Sequence, residues 1–114
     1  MNILLCVLPL LALFPTRAHA AGLPSLKMLS TPNCSACAQM SHVLDALNEK
    51  YAGRLTAEKI NVMENREMAV KYKIRYVPHL LFLDAEGTVV KEKVGALPLE
   101  EVLNTFREAG VNIG

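Results

Sequence analysis

Apolar side chains recur along this chain in two rhythms, and the switches between them mark out the elements. Ser25-Leu26-Lys27-Met28-Leu29-Ser30 reads as a buried strand that delivers the chain to a turn at Thr31-Pro32-Asn33. Beyond the turn, Met40, Val43, Leu44 and Leu47 return at helical spacing, with Gln39, His42, Asp45 and Glu49 among them. That pattern predicts one amphipathic helix from about Ser35 to about Ala52, ended by Gly53. Leu55 to Val62 reads as the next strand, with Glu58, Ile60 and Val62 on one parity. Glu64 to Tyr72 reads as a shorter helix whose apolar side includes Met68 and Val70.

Val77 to Asp84 is a strand entered through Pro78, and Asp84-Ala85-Glu86-Gly87 turns it into a half-exposed strand, Thr88 to Val94. Gly95 breaks that strand. Pro98 and Leu99 start a last helix, with Val102, Leu103 and Phe106 inward, that fades at Gly110. The order is βαβα followed by ββα. A βαβ start makes a parallel pair with a right-handed crossover, and the later hairpin adds antiparallel strands. The expected class is α/β, a mixed sheet of about four strands flanked by three helices.

One stretch stands outside both rhythms. Ile3 to Phe14 is almost continuously apolar, short for a bilayer span, and leads through Pro15 to the small-residue pattern Ala18-His19-Ala20. It reads as a secretory signal peptide over residues 1–20, cleaved after Ala20, with an uncleaved membrane tether as the alternative. The leading Met1-Asn2 carries no Lys or Arg, so only the terminal amine supplies positive charge there. Residues 21–114 then form one domain in the periplasm or outside the cell.

Composition supports a single folded unit: with 114 residues, 52% hydrophobic and 20% charged, the chain is neither disordered nor a disulfide scaffold. The net charge is +1, and removing Arg17 with the leader leaves eleven basic against eleven acidic side chains. No electrostatic case for nucleic acid or an anionic membrane surface follows.

The chemistry centres on Cys34-Ser35-Ala36-Cys37. Two thiols three positions apart at a helix start form a reversible disulfide, and free backbone N–H groups there favour an anionic sulfur. Cys34 is the candidate nucleophile, and Cys37, one turn on and more buried, the candidate resolving thiol of a Cys34–Cys37 disulfide. The same spacing serves a permanent structural disulfide or half of a zinc site. The only other cysteine, Cys6, lies in the leader, and no His pair sits at ligand spacing, so neither metal nor cofactor is expected.

From Lys59 to Ala109 the chain resembles thioredoxin. Lys59-Ile60-Asn61, Lys71-Tyr72-Lys73-Ile74-Arg75-Tyr76-Val77-Pro78, Leu80-Leu81-Phe82 and Lys93-Val94-Gly95-Ala96-Leu97 follow the family pattern in order and spacing. With the CxxC the likeness covers nearly all of the expected mature chain. It implies a thioredoxin-like fold lacking the N-terminal strand and helix of full-length thioredoxins, with Pro78 cis beside the dithiol. It also implies that Asn33, Val77, Pro78 and Gly95 frame the groove for a partner's polypeptide.

Three departures matter. Asn33 stands where thioredoxins usually carry tryptophan, Ser35-Ala36 replace the usual Gly-Pro, and Met28 stands where a buried carboxylate is expected. Lys59 matches the lysine that neighbours that carboxylate, so it either points to solvent or finds another acid. His79, following Pro78, either approaches the dithiol or faces away; strand alternation favours the second. His42 reads as solvated, and Met40, Met63 and Met68 as core filler rather than copper ligands.

The expected function is an exported thiol-disulfide oxidoreductase, monomeric, that reduces disulfides of protein partners and is recharged by a membrane thiol-disulfide electron carrier. The competing readings are a thiol oxidase that introduces disulfides and a non-catalytic adaptor stapled by a structural disulfide.

Overall fold

The structure, a computed structural model, describes residues 22–113. The leader expected over residues 1–20, its cleavage point after Ala20, and Cys6 lie outside the described residues.

Seven elements follow in order: β1 (Ser25–Ser30), α1 (Ser35–Lys50), β2 (Thr56–Asn61), α2 (Arg66–Lys71), β3 (His79–Leu83), β4 (Val89–Val94) and α3 (Leu99–Glu108). The four strands form one mixed sheet in the order β2-β1-β3-β4. β1 and β2 run parallel, joined through α1, whereas β3 is antiparallel to both β1 and β4. The α/β class and the mixed four-stranded sheet with three helices are as the sequence pattern implies.

Strand alternation sorts the sheet's side chains onto two faces. Leu26, Met28, Leu80 and Phe82 pack with Met40, Leu44 and Leu47 of α1 and with Val102 and Phe106 of α3. Phe82 and Phe106 meet edge to face, ring centroids 5.0 Å apart, a geometry that the ring quadrupoles favour. On the other face Leu29, Leu81 and Leu83 gather Ile60, Val62, Met68 and Tyr72. All five residues of β3 are buried, as an internal strand covered on both faces requires.

Two expectations are corrected on the α2 side. Val70 is 78% exposed, because Met68 already points inward and a side chain two positions on lies nearly opposite. Tyr72, four residues after Met68, takes the inward place instead. Met63, read as core filler, is 63% exposed in the turn after β2, where the sheet no longer covers it. α2 is also shorter than expected, starting at Arg66.

α1 is fixed to the sheet by more than its apolar stripe. The Asn48 side chain donates to the Ala57 carbonyl at 2.7 Å and accepts from the Ala57 N–H at 2.8 Å. It therefore occupies both backbone groups of Ala57 on the edge strand β2, which among the described residues has no further strand beside it. Asn48→Ala removes both bonds and is expected to cost about 1–2 kcal/mol. Urea unfolding checks this; an unchanged midpoint would show that the pair adds nothing to stability.

Candidate active site

The topology brings one residue from each strand end to a single edge of the sheet. Ser30 closes β1 and pairs in register with Asn61 at the end of β2. Because β3 runs antiparallel to β1, Leu29 lies beside His79, so Pro78 comes to the edge that Ser30 occupies. β4 reverses again, His79 opposes Val94, and Gly95 follows. Segments far apart in sequence thus meet where β1 hands the chain to α1.

At that edge the Thr31-Pro32-Asn33 turn leads into Cys34, the N-cap of α1. Cys34 has extended backbone geometry, and the Cys37 N–H donates to its Sγ at 3.0 Å. The sulfur does what a Ser or Asp oxygen commonly does at this position, accepting one of the four helix N–H groups without an intrahelical partner. The first turn of α1 carries no acidic residue to offset the helix dipole. Cys34 and Cys37 form a disulfide, with Cα atoms 5.1 Å apart. Cys37 is 3% exposed, whereas Cys34 is half-buried. The sulfur nearer solvent is therefore the one at the helix terminus.

The other candidate residues are accounted for in turn. Asn33 is exposed in the turn before Cys34. Val77 packs against the α1-side core, and Pro78 is buried, joined to Val77 by a cis peptide bond. The Gly95 N–H donates to the Pro78 carbonyl at 2.9 Å, tying the two loops together. Gly95 holds φ at +100°, a conformation that side chains disfavour. Two residues on, the Leu97 N–H donates to Met40 Sδ at 3.4 Å and ties this loop to α1.

His79 faces away from the dithiol. It shares the Leu29 face of the sheet, and its Nε2 meets Glu92 Oε1 at 2.9 Å. His42 is exposed on α1.

A cavity of about 220 Å³ opens beside the disulfide, lined by Cys34, Cys37, Pro32, Ser30, Lys59 and Asn61 among others. Ser30 and Asn61 were not singled out as site residues from sequence; their place depends on the parallel register of β1 and β2, which no local pattern encodes. A larger cavity, about 430 Å³, lies at the far end of α1 between Tyr51 and the residues following α3, and it holds no thiol.

The family model of the thioredoxin-like domain matches residues 15–110. The chain belongs to the thioredoxin family. It is 34% identical to the thioredoxin of Haemophilus influenzae over 88 residues, 77% of this chain and 81% of that one. With the thioredoxin of Porphyra purpurea it shares 36% over 87 residues, 74% and 80% of the two chains. With thioredoxin 1 of Synechococcus elongatus it shares 30% over 95 residues, 83% and 88%. Among solved structures, one titled "Structure of a malarial protein" superposes with a TM-score of 0.71 at 19% identity, over 79% of this chain and all of the other, a likeness of fold alone. A thioredoxin-family chain with a CxxC disulfide at the start of a helix is a thiol-disulfide oxidoreductase, and its substrates are protein thiols and disulfides.

The backbone at Gly95 gives a direct test of how this edge is held. Gly95→Ala forces a side chain into the left-handed region next to the Pro78 loop, so a loss of about 1–3 kcal/mol is expected. Denaturant titration reads it, and a variant as stable as the parent would show that the loop relaxes freely.

Proposed function

We propose that this thioredoxin-family protein works outside the cytoplasm as a reductant of protein disulfides, with Cys34 as nucleophile and Cys37 as resolving thiol. The observation that carries the assignment of roles is the asymmetry of the two sulfurs. Cys34 is the half-exposed helix N-cap, and Cys37 is buried one turn on.

The Cys34 thiolate attacks one sulfur of a partner's disulfide, forming a Cys34–partner mixed disulfide and releasing the partner's other thiolate. The Cys37 thiolate then attacks the Cys34 sulfur, closing the Cys34–Cys37 disulfide and releasing the partner's second thiolate. Two electrons pass from the dithiol to the partner, and the released thiolates take up the protons the dithiol gave to solvent. A membrane thiol-disulfide carrier returns the electrons by the same exchange in reverse, and exported apocytochromes awaiting haem attachment are a fitting class of client.

The partner's polypeptide is read as lying across the Asn33, Val77, Pro78 and Gly95 loops. Proline lacks an N–H, so Pro78 presents no donor to an extended chain laid there. Met63, Tyr76 and Val94, exposed by 63%, 71% and 52%, lie in the segments that reach this edge and offer apolar contacts to such a chain.

Export rests on the apolar leader ending at Ala18-His19-Ala20, cleaved after Ala20 or retained as a tether. The reducing direction rests on Ser35-Ala36. A cation between the cysteines would stabilise the thiolate and make the disulfide oxidising; these two residues supply none. The molecule is read as a monomer.

Insulin reduction driven by a dithiol donor tests the reading. Turnover is expected for the native chain and none for Cys34→Ser, and Cys37→Ser is expected to accumulate a mixed disulfide. The potential of the pair is expected well below the roughly −120 mV of a strong disulfide oxidant. Absence of turnover in the native chain would leave a structural staple, and a potential near that value would make the protein an oxidase.

A further inference from the structure

β4 ends at Val94 and α3 begins at Leu99, so the segment from Gly95 to Pro98 is a wall of the proposed groove that no ladder or helix bonds fix. Two backbone donors moor it. The Gly95 N–H donates to the Pro78 carbonyl at 2.9 Å, which ties one loop to another. The Leu97 N–H donates to Met40 Sδ at 3.4 Å, which ties the segment to α1. Ala96, between the two moored residues, is exposed.

Met40 is suited to this tie by its place and its chemistry. It follows Cys37 by three positions on α1, close to a full turn, and so lies on the same side of the helix. It is fully buried in the cluster that also holds Cys37, and Leu97 and Val77 pack against that cluster. An unbranched thioether threads an apolar core and still carries an acceptor at its third side-chain atom. Sulfur accepts weakly, but an N–H that faces a dry core with no acceptor bears the cost of its lost hydration.

We infer that Met40 is a positioning residue for the partner site: its buried sulfur holds the Gly95–Leu97 loop in the shape on which a partner's polypeptide binds. The inference rests on the reading of Asn33, Val77, Pro78 and Gly95 as the partner groove, and it adds an α1 side chain beneath that groove. Met40 takes no part in the exchange, whose bonds form and break at Cys34 and Cys37. Its effect falls on binding. A loop released at Leu97 holds the binding shape for a smaller fraction of the time, and apparent affinity falls by that fraction. A small disulfide that meets the sulfurs without lying across the loop does not feel the change, so Met40 favours protein disulfides over small ones.

Met40→Leu in the full chain tests this, because leucine conserves the volume in the core and supplies no acceptor. Amide exchange at Leu97 is expected to quicken about tenfold, with the β3 amides unchanged. KM for insulin is expected to rise about fivefold at unchanged kcat, the mark of an interaction made equally in ground and transition states. The reduction potential of the Cys34–Cys37 pair and turnover of hydroxyethyl disulfide are expected to stay as in the parent. Leu47→Met, an equally conservative change in the same buried stripe, is expected to move none of these readings.

An unmoved exchange rate at Leu97, a fall in kcat or a shifted potential in place of the rise in KM, or an equal effect of Leu47→Met would overturn the inference. Failure of the native chain to reduce insulin would count against the oxidoreductase reading and take the inference with it. Normal native turnover with an unchanged KM in Met40→Leu would count against Met40 alone.

Discussion

The site depends on a hydrogen bond from a helix terminus to a sulfur. α1 begins with N–H groups that have no carbonyl to meet, and the chain satisfies one of them with Cys34 Sγ rather than with an oxygen. A sulfur held there is pre-oriented, sits where negative charge is favoured, and is one helical turn from its partner thiol. In the function proposed here the cap that starts the helix is also the reactive group, so that the stability of α1 and the chemistry of Cys34 share one set of atoms.

The rest of the fold serves to bring loops to that cap. A parallel β1–β2 pair, followed by two reversals through β3 and β4, puts four strand ends on one edge. α1 and α3 pack on the Phe82 face and α2 on the Leu81 face, so both faces are covered while this edge stays open. Asn48 anchors the far half of α1 to β2, and Met40 Sδ receives the loop after Gly95. The buried stripe of α1, with these two side-chain bonds, fixes where its N-terminus points.

Much of this was legible in the sequence because it is local. The β1 bounds, the start of α1 at the cysteine pair, its inward Met40, Leu44 and Leu47, and the Asp84–Gly87 turn each follow from a few adjacent residues. The turn is closed as that pattern suggests, with Asp84 Oδ1 accepting from the Glu86 and Thr88 N–H groups. What failed was a matter of phase or of cover. Val70 and Met68 cannot share one face of a helix, and Met63 lies past the strand that would have covered it. The direction of Lys59 was undecidable because it depends on the β1–β2 register, a relation between positions 31 residues apart. His79 was half legible: alternation turns it from the dithiol, but its Glu92 partner belongs to another strand.

The central claim is that the helix terminus makes Cys34 the nucleophile. Alkylation of the reduced chain across pH, with the modified residue located by peptide mass, tests it most directly. The account predicts that Cys34 reacts first, with a midpoint below the roughly 8.5 of an ordinary thiol, while Cys37 stays protected. Equal reaction of the two sulfurs, or Cys37 ahead of Cys34, would contradict it.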